Sequence, residues 1–252
     1  MEVIILDLHM FFTENPSVAL AFSGGVDSSY LLYAGITCGA DIKAYYVKTA
    51  FQPEFELRDA YKIAKLCEAD MTVLEKDVLS ERRVYENPPD RCYFCKRMIF
   101  DAIKKQAAED GYKLVIDGTN ASDDAGDRAG MRAIKELSVR SPLRECGLGK
   151  AEIRDLSKKA GLPTWDKPAY ACLATRIPAG REITPELLSK VEKSEDALFA
   201  LGFSDLRVRV TGDAAKLELP QAQMGAALKN REAILNSIKP FFPHVWLDLD
   251  AR

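Results

Sequence analysis

Two textures of hydrophobic patterning divide the chain. Over roughly its first 165 residues, short apolar runs alternate with stretches whose apolar positions recur at helical spacing. The runs lie at 18–22, 41–47, 71–74 and 114–116. The unbroken run from Val18 to Phe22 marks a buried parallel strand, and the other three read as further strands. Between them, residues 3–13 place Val3, Leu6, Met10 and Phe11 at helical spacing before Asn15 and Pro16 break it. Residues 53–69 set Leu57, Ala60, Tyr61, Ala64 and Leu66 towards one side. Residues 150–160 turn Ile153, Leu156 and Ala160 inward and stop at Gly161, with Pro163 behind. Strands alternating with helices predict an α/β fold with a doubly wound parallel sheet.

After Thr184, Pro185 and Glu186 the texture changes. A helix runs to Leu201 and ends at Gly202. A hairpin spans 205–219, turning at Gly212 and Asp213. A helix over 221–238 breaks near Asn230, and a strand occupies 245–249. This reads as a small α+β domain. The partition is then 1–165 for the sheet domain, 166–183 for a proline-containing connector that carries Cys172, and 184–252 for the small domain. In the first hairpin strand Leu206, Val208 and Val210 share one face and Arg207 and Arg209 the other, because side chains alternate along a strand. Two arginines on an exposed face are either solvated or a fork for a substrate phosphate.

Composition narrows the class. The chain has 252 residues, 47% of them hydrophobic, and a net charge of −3 with both signs mixed. That balance gives no electrostatic footprint for nucleic acid. No apolar run approaches ~20 residues, so no membrane partner is expected. The first residues lack a basic region and a small-residue cleavage site, which points to the cytoplasm. Six cysteines in such a chain read as metal, cluster or reactive thiols plus core fillers, not as a disulfide framework.

The candidate chemistry starts at the end of the first strand. Ser23, Gly24 and Gly25 form a tight turn, and Asp27, Ser28 and Ser29 open a helix. A Gly-rich turn into a helix N-terminus is a ready anion site. The hydroxyls of Ser23, Ser28 and Ser29 add donors, and Asp27 fits there only if a cation such as Mg²⁺ sits between it and phosphate. Gly118, Thr119 and Asn120 follow the fourth strand, at the switch-point crevice where open α/β sheets bind ligands. Asp123 and Asp124 read either as caps or as Mg²⁺ ligands. Cys92 and Cys95 sit at i and i+3 after Pro88, Pro89 and the capping candidate Asp90, so both thiols face one way at a helix N-terminus. Structural zinc, an iron–sulfur cluster and coincidence all remain open for that pair, although zinc lacks a second pair. Cys38 and Cys67 read as core fillers, and Cys146 as a spare thiol in a loop.

The string from Ser23 to Ser28 resembles the pyrophosphate loop of the ATP pyrophosphatase (PP-loop) superfamily. Together with residues 87–96, with Gly118, Thr119 and Asn120, and with Lys167, Pro168 and the segment from Cys172 to Arg176, it resembles the ATP-dependent sulfur transferases of the LarE family, which act in nickel-pincer nucleotide biosynthesis. The resemblance implies that ATP and Mg²⁺ are used to adenylylate a carboxylate of a small nucleotide substrate, pyridinium biscarboxylic acid mononucleotide, with release of pyrophosphate. Sulfur from sulfide or another donor then gives a thiocarboxylate and AMP. It implies Asp27, Arg176 and Cys172 as catalytic residues, Arg176, Arg207 and Arg209 as substrate-binding, and a homo-oligomer. Members with one cysteine, matching Cys172, sacrifice its sulfur. Members with three hold a 4Fe-4S cluster, for which Cys92, Cys95 and Cys172 are the ligands here.

Overall fold

The computed structural model describes residues 2–123 and 128–250. The chain divides into two compact units. The first comprises the segments up to Thr49, Glu54–Val78 and Asp90–Lys167. Helix α1 (Glu2–Glu14) precedes strand β1 (Ser17–Ala21), followed by α2 (Val26–Thr37), β2 (Asp41–Lys48), α3 (Glu54–Leu66) and β3 (Met71–Glu75). A one-turn helix, α4 (Arg82–Tyr85), belongs to the second unit. The first unit resumes with α5 (Arg91–Glu109), β4 (Val115–Asp117), α6 (Arg128–Glu136), α7 (Pro142–Glu145) and α8 (Lys150–Lys159). Its four strands are all parallel, in the order β3-β2-β1-β4.

The apolar content of β1 and β2 is explained by burial on both faces. Val18, Leu20, Ile42, Ala44 and Tyr46 pack into one core with residues of α1, α2 and α8. Their neighbours Ala19, Tyr45 and Val47 pack into another with Phe100 and Ile103 of α5 and Ile134 of α6. The helical stripes differ from the sequence reading in detail. On α3 the buried residues are Ala60, Ile63 and Ala64. Tyr61 and Leu66 flank that stripe and are 52% and 56% exposed. On α1, Leu8, Phe11 and Phe12 are buried and Met10 faces out. In each case more apolar residues lie on that side than the stripe buries, two on α3 and one on α1, and spacing alone does not say which turn inward. Among the described residues no helix is long and apolar enough to cross a membrane.

The second unit gathers Ala50–Pro53, Leu79–Pro89 and the chain from Pro168 onward. Helix α9 (Pro185–Ala200) is capped by Thr184, whose hydroxyl accepts from the Leu187 amide at 3.2 Å. Strands β5 (Arg207–Thr211) and β6 (Ala214–Glu218) form an antiparallel hairpin around Gly212. Helices α10 (Gln221–Lys229) and α11 (Arg231–Ile238) break at Asn230, and β7 (His244–Leu247) joins β6 in parallel. Backbone ties explain why the stretch from Pro168 to residue 183 belongs here together with 50–53 and 79–89. The Leu173 amide donates to Phe51, Gly180 to Asn87, and Ile183 to Tyr85. The buried Asn87 amide group also donates to the carbonyls of Ile177 and Pro178, at 3.2 and 2.9 Å.

Candidate active site

The turn after β1 has the shape its glycines predict. Gly24 has φ +69°, and a Cβ there would lie 2.9 Å from the Cα of Ala60 on α3. Any side chain would meet both a strained backbone and a neighbouring helix. Gly25 is the N-cap of α2, so the first amides of that helix lack intrahelical acceptors. The three serines do not act alike. Ser23 is exposed, but the Ser28 hydroxyl braces the turn, 3.1 Å from Ser23 Oγ and 3.3 Å from the Gly25 carbonyl. Ser29 is 0% exposed and turned inward. The expectation of three outward-facing hydroxyls is therefore corrected: Ser28 braces the turn, Ser29 points into the core, and of the three only Ser23 is exposed.

Asp27 is half-buried beside this turn. Its Oδ2 receives the Lys150 ammonium at 2.5 Å, and its Oδ1 is buried without a hydrogen-bond partner. Burial pushes the Asp27 carboxyl up from the ordinary 3.8, and Lys150 pulls it back. An orphaned carboxylate oxygen next to an anion cradle suits a divalent cation. Lys150 was missed by the sequence reading. The available signal was its position: it opens α8, where a cation works against the helix dipole unless it faces an anion.

The loop after β4 lies against the same turn, since a Cβ on Gly118 would come within 2.9 Å of the Ser28 amide nitrogen. Asp117 accepts from Ser141 Oγ at 2.6 Å, from the Thr119 amide at 3.2 Å and from Thr119 Oγ1 at 2.7 Å. Burial pushes its carboxyl up, opposed by those donors. Asn120 is 0% exposed, with Nδ2 unpartnered. Asp123 caps the turn by accepting the Asn120 amide at 2.8 Å, and Asp124 lies outside the described residues.

Cys92 and Cys95 occupy the first turn of α5, where Arg91 Nη2 approaches Cys92 Sγ at 3.5 Å. Asp90 stands at the N-cap position, but its side chain makes no capping bond. Cys38, Cys67 and Cys146 pack against the core, and burial pushes their thiols up. Cys146, at the C-terminal end of α7, is half-buried at the edge of that core. Among the described residues no group of three or more His, Cys, Asp or Glu is gathered to hold a metal ion. Cys92 and Cys95 together supply two thiols on one helix.

In the second unit Cys172 starts a 3₁₀ turn, Leu173–Arg176, and is half-buried. The segment around it is held from several sides. Arg176, with its side chain 0% exposed, donates from Nε to Glu195 at 2.8 Å and from Nη1 to the Ala171 carbonyl at 2.8 Å. The Tyr170 hydroxyl donates to the same Glu195, which also accepts the Val208 amide at 2.9 Å. Arg207 is only 4% exposed and donates to the carbonyls of Ala169 and Leu206. Arg209 pairs with Glu218 at 2.7 Å and donates to the Thr175 carbonyl at 2.7 Å. The expectation of an exposed arginine pair is corrected for Arg207, which is buried, while Arg209 stays partly exposed and also donates to the segment. Period two put Arg207 and Arg209 on one face correctly, and both arginines of that face donate to carbonyls of the 169–176 stretch.

A parallel sheet with a Gly-rich turn at the C-terminal end of β1, an acid in that turn and a second loop pressed on it defines a PP-loop enzyme. No family model matches the chain. It is 29% identical over 187 residues to a tRNA-specific 2-thiouridylase of Pseudothermotoga lettingae, covering 60% of this chain and 53% of the relative. Longer matches are more specific. An uncharacterized protein of Synechocystis is 36% identical over 250 residues, covering 97% of this chain and 92% of that one. The pyridinium-3,5-bisthiocarboxylic acid mononucleotide synthase of Lactiplantibacillus plantarum is 32% identical over 235 residues, covering 92% and 85%. The chain belongs to the LarE-type family of PP-loop enzymes.

Proposed function

We propose that the chain is an ATP-dependent sulfur transferase acting on a carboxylate of pyridinium biscarboxylic acid mononucleotide. The observation that carries this reading is the similarity to the bisthiocarboxylate synthase over 92% of the chain. It is supported by a turn built for a diphosphate. A substrate carboxylate oxygen attacks the α-phosphorus of ATP, and the bond to the bridging oxygen breaks to release pyrophosphate. The chain's part is to bind and orient: the first amides of α2 and Ser23 take the β,γ-diphosphate, and Lys150 offsets its charge. A sulfur nucleophile then attacks the acyl carbon and AMP leaves with the original carboxylate oxygen. The net change is one oxygen replaced by one sulfur. Asp27 would hold Mg²⁺, which when bound offsets charge on the diphosphate.

Two sources of the sulfur follow from the cysteines. Cys92, Cys95 and Cys172 are the thiolates that would hold a 4Fe-4S cluster, and the i, i+3 pair on α5 favours that reading. Cys172 as its own sulfur donor is favoured by the tight hold on its segment, in which Arg176 donates to the Ala171 carbonyl and Arg209 to the Thr175 carbonyl. The enzyme is proposed to work as a cytoplasmic homo-oligomer. Pyrophosphate release from ATP that requires the pyridinium substrate tests the first half-reaction. Release at the same rate without that substrate would refute it.

A further inference from the structure

The stretch Trp165–Lys167 closes the first unit, and Cys172 follows Lys167 by five residues. The stretch belongs to no helix or strand, yet it is held from two sides. On one side Arg154 of α8 donates from Nη1 to the Trp165 carbonyl at 2.6 Å and from Nη2 to the Lys167 carbonyl at 2.7 Å. A guanidinium is a rigid planar fork, so this one side chain fixes two carbonyls at a set spacing. The Lys158 ammonium stands 4.4 Å from the centre of the Trp165 ring. On the other side the Lys167 ammonium meets Asp59 Oδ2 of α3 at 2.9 Å.

The two helices that hold this stretch also hold the nucleotide turn. Lys150, Arg154 and Lys158 recur at every fourth residue and so lie along one side of α8. The first of them is the cation on Asp27. Ala60, next to Asp59 on α3, is the residue that leaves no room for a Cβ on Gly24. Five residues span at most about 18 Å, so whatever fixes Lys167 bounds the reach of Cys172. We propose that Arg154 is a positioning residue for the second half-reaction: it holds the root of the Cys172 segment so that sulfur, and not water, takes the activated carboxylate. The proposal rests on the adenylylation reading, and it holds for either sulfur source, since both use Cys172. When water attacks the acyl carbon instead, the products are the original carboxylate, AMP and the protons of the water. Sulfur must be placed, whereas water is present everywhere. The ratio of thiocarboxylate formed to pyrophosphate released therefore reads the second step alone, however fast the first one runs.

The test is an anaerobic single turnover with the full chain in excess over ATP, in which both products are quantified, together with thermal melting and calorimetric binding of MgATP. Wild type is expected to form thiocarboxylate and pyrophosphate in equal amounts. Arg154→Ala should bind MgATP within about twofold of wild type, as expected for a residue with no contact to the nucleotide turn. Its ratio of thiocarboxylate to pyrophosphate should fall roughly 10-fold, since a misplacement of about 1 Å can cost on the order of 100-fold. Arg154→Lys, whose single ammonium does not reproduce the fork, should fall between the two. Asp59→Asn removes the charge partner of Lys167 and should lower the ratio as well; it decides the matter if Arg154→Ala does not fold. Equal yields of both products in folded Arg154→Ala, or in Asp59→Asn where Arg154→Ala does not fold, would overturn the inference and leave the proposed function standing. Wild type that releases no pyrophosphate, or releases it without forming thiocarboxylate, would overturn both.

Discussion

Replacing Glu195 by Ala removes the hub that holds the Cys172 segment to the second unit. The carboxylate is 1% exposed and receives Arg176 Nε at 2.8 Å, the Val208 amide at 2.9 Å and the Tyr170 hydroxyl. Its removal leaves the Arg176 guanidinium, itself 0% exposed, as a buried charge without its counter-ion. Loss of one partner from a buried pair costs about 3–5 kcal/mol. At roughly 2–4 °C per kcal/mol for a chain of this size, the melting temperature should fall by about 6–20 °C. Hydrogen exchange should show residues 169–176 opening first, with alkylation of Cys172 accelerated. Because the cost is an uncompensated charge, the double variant Glu195→Leu with Arg176→Met should lose less than Glu195→Ala alone. A melting temperature within a degree or so of wild type, with unchanged protection of 169–176, would refute this account of how Cys172 is positioned.

Asp27→Ala should abolish substrate-dependent pyrophosphate release, a loss read directly in a coupled assay; undiminished release would exclude a role for its orphaned oxygen. Lys150→Met should weaken MgATP and also move the acid limb of the pyrophosphate-release profile. Burial holds the Asp27 pKa above 3.8 and Lys150 lowers it, so the ionised form is lost as pH falls through that raised value, and at a higher pH once Lys150 is gone. An unshifted limb would contradict the pairing. Cys92→Ala should lose iron from anaerobically prepared protein while keeping substrate-dependent pyrophosphate release; iron content equal to wild type would remove Cys92 from any cluster.

Much of the first unit could be read from the sequence because burial of β1 and β2 on both faces leaves short apolar-rich runs, and their length and alternation with helical stretches mark them as strands. The Ser23–Ser28 turn was equally legible, since the left-handed φ of Gly24 and its contact with Ala60 permit no other residue. What escaped the sequence depends on contacts between distant segments. Lys150 meets Asp27 from 123 residues away, and nothing local announces it except a cation at a helix start. Arg207 and Arg209 obey the strand period, but the period cannot say whether a face meets water or the 169–176 segment. Ser28 and Ser29 carry the right chemistry at the right place, yet the pitch of α2 turns one into the loop and the other into the core.

The most direct measurement is anaerobic single-batch turnover with MgATP and pyridinium biscarboxylic acid mononucleotide, with and without added sulfide, read by mass spectrometry of both the product and the intact protein. The account predicts a product in which one carboxylate oxygen is replaced by sulfur, formed together with pyrophosphate and AMP. Repeated turnover with Cys172 intact when sulfide is present would assign the sulfur to the cluster reading, and one turnover per chain with dehydroalanine at 172 would assign it to Cys172. A substrate recovered without sulfur under both conditions, while ATP is bound, would contradict sulfur transfer by this protein.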